Sequence, residues 1–376
     1  MNQPPEGNFP LKTGPKDRKV RVLVAPLDWG LGHATRCIPI IRELIRQGAE
    51  PCLAASGPTA RLLEQEFPGL ALYPLRGYEI RYARSRAGLF ISMLFQIPRM
   101  LASIRQERAW LKELTTREHF DAIISDNRYG LSHARIPTVF ITHQLRILSP
   151  LGKWNEALLQ WMNYRYIKRF TQCWVPDHQR SPGLAGILSH PEKLPAVTLK
   201  YTGPLSRFTK SDTPEKKGHL LILLSGPEPQ RSMLEDLLSK AIAHYPGTAD
   251  FVRGVPGAIS QIPSTNMLHF HNHLSAEALQ QKMEEAEFVI ARSGYSTVMD
   301  LAVLHKKSIL IPTPGQTEQE YLGKLLQERK QACVFSQQEF DLTKALEAAA
   351  VADHRMDETT TDAALEHCVT TLLRSL

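Results

Sequence analysis

The chain has 376 residues, 43% of them apolar and 22% charged, with a net charge of +7. That length exceeds what a single hydrophobic core serves, so two domains are expected. The composition is that of a globular protein, and no uninterrupted apolar stretch reaches the roughly 20 residues a bilayer-crossing helix needs.

The charge is unevenly divided. Residues 1–203 carry 28 Lys/Arg against 16 Asp/Glu, a net +12, and residues 204–376 carry 17 against 22, a net −5. A basic half points to a phosphate-rich or membrane-surface partner, the bland alternative being a solvated face. Nucleic acid is not expected, because no stacking-aromatic platform accompanies the charge. The cysteines, at 37, 52, 173, 333 and 368, form no CxxC pair and have no histidines at zinc spacing. They read as reduced thiols of a cytoplasmic protein rather than as a disulfide framework or metal site.

Residues 1–19 are polar and Pro/Gly-rich, a leader without the apolar core of a signal peptide. Val20–Pro26 then reads as a strand, Arg36–Gln47 as a helix, Glu50–Ser56 as a strand, Thr59–Phe67 as a helix and Leu70–Pro74 as a strand. Leu89–Thr116 is helical, and Phe120–Asn127, Pro137–Gln144 and Gln172–Asp177 are apolar strands that end in polar residues. The rhythm breaks near Tyr201 in a segment rich in Gly, Pro, Ser, Thr and charge, which marks 204–219 as a linker.

A second alternation follows, with strands at Leu220–Gly226, near Ala249–Arg253, at Phe288–Gly294 and at Ser308–Pro314. Helices are expected from Met233, over Ala276–Met283, from Thr297 and over Ala363–Leu376. Strands alternating with helices give parallel sheets. The expected architecture is therefore α/β, two tandem doubly wound Rossmann-like domains facing across a cleft. The N-terminal domain is expected to span 20–203 and the C-terminal domain 220–360. The helix at 361–376 is expected to pack back on the N-terminal domain.

Ligands of open α/β sheets bind at the carboxyl ends of strands, and four polar turns lie at such ends. In the first, Gly30-Leu31-Gly32-His33-Ala34-Thr35 lacks the third glycine of a dinucleotide fingerprint, and no acid ends the second strand. A nicotinamide cofactor is not expected. His33, at a helix start, is placed to take a proton from a hydroxyl, the alternative being an exposed histidine on a structural turn.

In the second turn, Ser225 and Gly226 offer a hydroxyl and backbone amides to a diphosphate, with Arg231 beside them, or simply turn the chain. In the third, Arg292-Ser293-Gly294-Tyr295-Ser296-Thr297-Val298-Met299-Asp300, glycine admits a close backbone approach and Ser296 or Thr297 can cap the helix. Asp300 could accept from a ribose diol or compensate the helix dipole. In the fourth, Gln316, Gln319 and Glu320 crowd amides and carboxylates as sugar hydroxyls require, unless they are a solvated helix start.

Asp126, with Asn127 and Arg128, and also His143 with Gln144, follow strands of the basic half. Asp126 orients His33, acts as the base itself, or forms a turn. The stretch 78–117 combines eight Lys/Arg and three acids with apolar residues at helical spacing. It is an anionic-membrane helix or a core helix with a solvated basic face.

The turns at Gly30–Thr35, 292–300 and 312–320 together resemble the inverting glycosyltransferases of the glycosyltransferase-B fold, in particular the N-acetylglucosaminyltransferase family that builds lipid-linked peptidoglycan precursor. The resemblance runs from about residue 20 to about residue 330. It implies a donor-binding loop at Ser293-Gly294, a ribose acid at Asp300, sugar-binding residues at Gln319 and Glu320, and a diphosphate turn at Ser225-Gly226. It aligns His33 with a histidine of the family's first glycine loop.

Two departures stand out: Asp300 is shorter than the family's glutamate, and Glu320 replaces a glutamine. The resemblance implies transfer of a hexose or N-acetylhexosamine from a UDP-sugar to a saccharide or lipid-linked acceptor, with inversion and without a metal or bound cofactor, by a cytoplasmic protein that is peripheral on the membrane. A nucleotide-sugar hydrolase or epimerase of the same fold, and a non-catalytic nucleotide-sugar-binding protein, are the alternatives.

Overall fold

The computed structural model describes residues 18–28, 30–78, 86–149, 151–255, 260, 262–354 and 362–376. Seven parallel strands form the first sheet: β1 (Arg21–Pro26), β2 (Glu50–Ala55), β3 (Leu72–Pro74), β4 (Ala122–Asp126), β5 (Thr138–Ile141), β6 (Gln172–Val175) and β7 (Thr198–Tyr201). Their order is β3-β2-β1-β4-β5-β6-β7, and the helices α1 (Leu31–Arg46), α2 (Gly57–Glu66), α3 (Arg86–Arg117) and α4 (Lys153–Ile167) connect them.

Six parallel strands form the second sheet: β8 (Lys216–Leu223), β9 (Thr248–Val252), β10 (Leu268–His271), β11 (Ala286–Ala291), β12 (Ser308–Leu310) and β13 (Cys333–Val334), in the order β10-β9-β8-β11-β12-β13. Its helices are α5 (Gln230–Ile242), α6 (Ala276–Glu285), α7 (Tyr295–Leu304), α8 (Thr317–Glu328) and α9 (Leu342–Val351). The last helix, α10 (Asp362–Arg374), returns to the first domain, where Cys368 lies on the Tyr201 carbonyl and Thr370 bonds Gln47.

The expected α/β architecture is therefore observed. Its physical cause is that the central strands are apolar on both faces. Val22, Leu23, Val24 and Ala25 of β1 and Leu220, Leu221 and Ile222 of β8 are fully buried, as a sheet covered by helices on both sides demands. Each sheet has a switch point where connections depart in opposite directions, between β1 and β4 in the first and between β8 and β11 in the second.

The segment expected to be linker differs at its end. Lys216 to His219 belong to β8, with Lys216 in register with Ala286 and His219 with Thr248. Charged residues hid the strand because its first two residues lie at the exposed rim. The expected helix at Leu89–Thr116 also starts earlier, at Arg86, and runs through Pro98.

Candidate active site

Five strand ends at the two switch points meet at the candidate site, β1 and β4 from the first sheet and β8, β11 and β12 from the second. Pro26 of β1 is in register with Asp126 of β4, so the turn after β1 and the last residue of β4 are neighbours. The turn holds Gly30 at φ 87, a left-handed conformation that glycine adopts freely, and α1 begins at the next residue. His33 is thereby the third residue of α1, and its Nδ1 lies 2.9 Å from Asp126 Oδ2.

Asp126 is fully buried, and Arg36, one turn further along α1 and only 2% exposed, supplies its counter-charge. Arg36 Nε is 2.9 Å from both carboxylate oxygens, and Nη2 donates to Oδ1. Burial alone would raise the Asp126 pKa, but Arg36 and then His33 outweigh it and hold the group ionised below its ordinary range. Burial, and then the Arg36 charge, push His33 below its ordinary value, so it is neutral near pH 7.

His33 Nδ1 lies between two partners, Asp126 Oδ2 at 2.9 Å and Arg36 Nη2 at 2.7 Å. Paired with the carboxylate, Nδ1 carries the proton and Nε2 the lone pair; paired with the guanidinium, the two are reversed. Nε2 makes no hydrogen bond among the described residues. In the tautomer with Nδ1 on the carboxylate, its lone pair is free, the arrangement that general-base chemistry requires. Asp126 itself is shut away from solvent and bonded on both oxygens, so in this arrangement it is placed to orient His33 rather than to meet a ligand.

Across from this edge lie the ends of β8, β11 and β12, which adjoin in register through Leu223, Ala291 and Leu310. Ser225 and Gly226 follow β8 and are exposed, with Gly226 at φ 98. Ser293 is buried, and its hydroxyl donates to the Gln319 carbonyl at 2.8 Å. Gln319 Oε1 accepts from the Thr313 amide and Glu320 Oε1 from the Gly315 amide, both at 2.9 Å. Gln316 is the N-cap position of α8. These side chains thus shape the loops.

Three expected roles change. Gly294, not Ser296 or Thr297, occupies the N-cap position of α7, and no side chain caps it. Ser296 is the second residue of the helix and donates instead to the Gly32 carbonyl at 3.0 Å, tying the starts of α1 and α7 together. Arg231 is committed to Glu228 at 2.6 Å and Glu235 at 2.7 Å, partners within reach on its own first turns, so it braces α5 rather than facing a diphosphate.

Asp300 accepts from Ser206 Oγ at 2.6 Å. Its burial raises the pKa to about 6 against the pull of Arg207. A ribose diol would have to take the place of that serine.

The sequence reading missed two arginines and one glutamate. Arg292, buried and lowered by burial to a pKa of about 10, donates to the carbonyls of Ile311 at 3.1 Å, Pro312 at 3.2 Å and Gln230 at 2.9 Å. It stitches together the segments that follow β8, β11 and β12. Arg36 sits in a helical stretch, and nothing local marks its partner 90 residues away.

Glu318 crosses the cleft to His143 Nε2 at 2.9 Å and to the Gln144 amide. The crowd of polar residues at 316–320 was its only signal. Beside it Tyr295 stacks on His143 at 4.1 Å, and its hydroxyl donates to the Pro176 carbonyl at 2.7 Å. Within the expected membrane stretch 78–117, residues 79–85, with Arg81 and Arg84, lie outside the described residues. No helix among the described residues is long and apolar enough to cross a membrane, and no group of three or more His, Cys, Asp or Glu side chains among them could hold a metal ion.

Residues 267–369 match the glycosyltransferase family 28 C-terminal domain. An uncharacterized glycosyltransferase of Methanosarcina acetivorans is 22% identical over 338 residues, covering 82% of this chain and 84% of that protein. The UDP-N-acetylglucosamine–N-acetylmuramyl-(pentapeptide) pyrophosphoryl-undecaprenol N-acetylglucosamine transferase of Methylobacterium radiotolerans is 26% identical over 158 residues, 39% of this chain and 40% of that one. Among solved structures, the glycotransferase of kitacinnamycin superposes with a TM-score of 0.63 at 14% identity, covering 96% of this chain and 95% of its own. The chain has the glycosyltransferase-B fold and is similar to glycosyltransferases, including the peptidoglycan-precursor family that its motifs resemble.

Proposed function

We propose that the protein transfers a sugar, an N-acetylhexosamine or hexose, from a UDP-sugar to a hydroxyl of a saccharide or lipid-linked acceptor, with inversion. One observation carries the reading: His33 with Nδ1 2.9 Å from the buried Asp126 carboxylate and Nε2 without a hydrogen bond among the described residues, on the edge facing the loops of the second domain. In the reaction, His33 Nε2 takes the proton of the acceptor hydroxyl as its oxygen attacks the anomeric carbon. The nucleoside diphosphate leaves from the opposite face. Amides at Ser225-Gly226 and at the start of α7, around Ser293-Gly294, stabilise the charge on the departing diphosphate, a role helix N-termini perform without a metal. Gln319 and Glu320 lie beside the sugar, and the relative from Methylobacterium supports UDP-N-acetylglucosamine as the first donor to try.

A peripheral position on an anionic membrane belongs to the same proposal, and α4 supports it better than 78–117. Trp154 is 94% exposed, Leu158 55% and Trp161 59%, one stripe at helical spacing. Lys153, Arg165, Lys168 and Arg169 accompany them, and Arg165 stacks over Trp161 at 5.6 Å. Indole and leucine beside such cations suit an anionic lipid interface.

A thermal-shift panel of nucleotides and nucleotide sugars tests the donor, with a rise expected for UDP and a UDP-sugar alone. UDP release with and without acceptor then separates the reactions. Dependence on acceptor is expected. Turnover of UDP-sugar alone would instead identify a hydrolase or epimerase, and binding without any product a non-catalytic protein. Sedimentation with phosphatidylglycerol vesicles should fall when Trp154 and Trp161 are both replaced by serine, and binding unchanged by that replacement would remove α4 from the membrane.

A further inference from the structure

The base does not stand alone on its edge. Arg36, which holds Asp126, also reaches His143, with Nη1 3.4 Å from Nδ1. His143 Nε2 in turn meets Glu318 Oε1 at 2.9 Å, and Glu318 belongs to α8 of the other domain. Five side chains thus run His33–Asp126–Arg36–His143–Glu318 from one domain into the next.

Arginine is solely a donor, so His143 Nδ1 accepts and Nε2 carries the proton given to Glu318. Burial would raise the pKa of Glu318, but His143 and then Arg36 overcome it and keep the carboxylate ionised.

His143 is 4% exposed, and its ring is stacked on Tyr295, whose hydroxyl is fixed on the Pro176 carbonyl. The ring therefore has little room to turn, and the tautomer is what can change. Without an acceptor at Nε2, the proton is free to sit on Nδ1. There it would oppose the Arg36 N–H, two donors face to face. Arg36 would have to shift, and with it the hydrogen bonds that fix Asp126 and hence His33.

We propose that Glu318 is a positioning residue for the base: on closure of the two domains its carboxylate fixes the Nε2–H tautomer of His143, and through Arg36 and Asp126 this holds His33 with Nε2 unprotonated. This rests on the proposed role of His33. It adds that a group which need touch neither substrate makes catalysis depend on closure. Substrate alignment and base activation then become one event, so the site is not assembled while water has access.

The test is 15N imidazole NMR of the full-length chain labelled at histidine, for wild type, Glu318→Ala and Glu318→Gln, with His33→Gln and His143→Gln assigning the signals. The wild type should show His143 as the Nε2–H form and His33 as the Nδ1–H form. In Glu318→Ala both rings should move towards averaged tautomers. Glu318→Gln, which retains an oxygen acceptor, should recover most of the wild-type pattern.

In parallel, turnover of UDP-sugar with acceptor should fall about tenfold or more in Glu318→Ala, a part of the roughly 100- to 10,000-fold a general base contributes, with donor KM within about twofold. A His33 signal unchanged in Glu318→Ala while His143 alone moves would overturn the coupling and leave the base intact. A wild-type His33 protonated on Nε2 would overturn the base itself.

Discussion

The two edges that face each other across the cleft are built on opposite plans. On the first domain the polar groups are side chains: His33, half-buried, is bonded to Asp126, which is buried together with Arg36. On the second, the polar side chains are spent on the loops themselves, Ser293 on the Gln319 carbonyl, Gln319 on the Thr313 amide and Glu320 on the Gly315 amide. What remains for a ligand there is backbone and the exposed Ser225. The difference matches the two tasks proposed for them. A base needs one oriented lone pair, whereas a diphosphate is held by several amides at helix starts.

Replacing His33 by alanine should break the comparison most sharply. Turnover is expected to fall about 100- to 10,000-fold with UDP affinity, read by calorimetry, nearly unchanged. Asp126→Ala should unfold more readily, because Arg36 is left as a buried charge without its partner. A loss of about 3–5 kcal/mol in denaturant titration is expected.

The corresponding buried group of the second edge is Arg292. Arg292→Ala takes the donor from three carbonyls and should cost about 3 kcal/mol while weakening UDP binding. Donor affinity untouched by that change would show that the three loops do not shape the nucleotide site.

Asp300 gives a smaller, pH-dependent effect. Its folded pKa, about 6, is raised from 3.8, so the folded state holds this proton more tightly than the unfolded chain. The stability it contributes is complete below about pH 4 and is lost as pH rises through 6, about 3 kcal/mol in all. Asp300→Asn should remove that slope from denaturation curves measured between pH 4 and 7, and a wild-type slope retained in the variant would refute the assignment. Glu320→Gln keeps the oxygen that the Gly315 amide needs and should change stability by less than about 0.5 kcal/mol.

The fold was readable in the sequence because both central strands and their flanks are continuous apolar runs, the mark of a sheet buried on both faces. What escaped has local causes. In α4, Trp154, Leu158 and Trp161 face solvent while Asn163 is buried, so no apolar face marks the core side. The strand β10 has no fully buried residue, and β13 is two residues long.

In the site, glycine turns at strand ends marked the loops, and an acid ending β4 marked Asp126. The partnerships did not show. His33 meets Asp126 across 93 positions and His143 meets Glu318 across 175, distances over which sequence carries no local signal. Ser296 and Arg231 misled for the opposite reason, since residue types suited to capping and to phosphate were taken up by nearer protein partners.

The central claim is that His33 removes the proton of a sugar acceptor. Its most direct test is single-turnover release of UDP from a saturating UDP-sugar in the presence of acceptor, wild type against His33→Ala. The account predicts a release rate lower by about two orders of magnitude or more in the variant, at equal donor occupancy. Equal rates in the two proteins would contradict it.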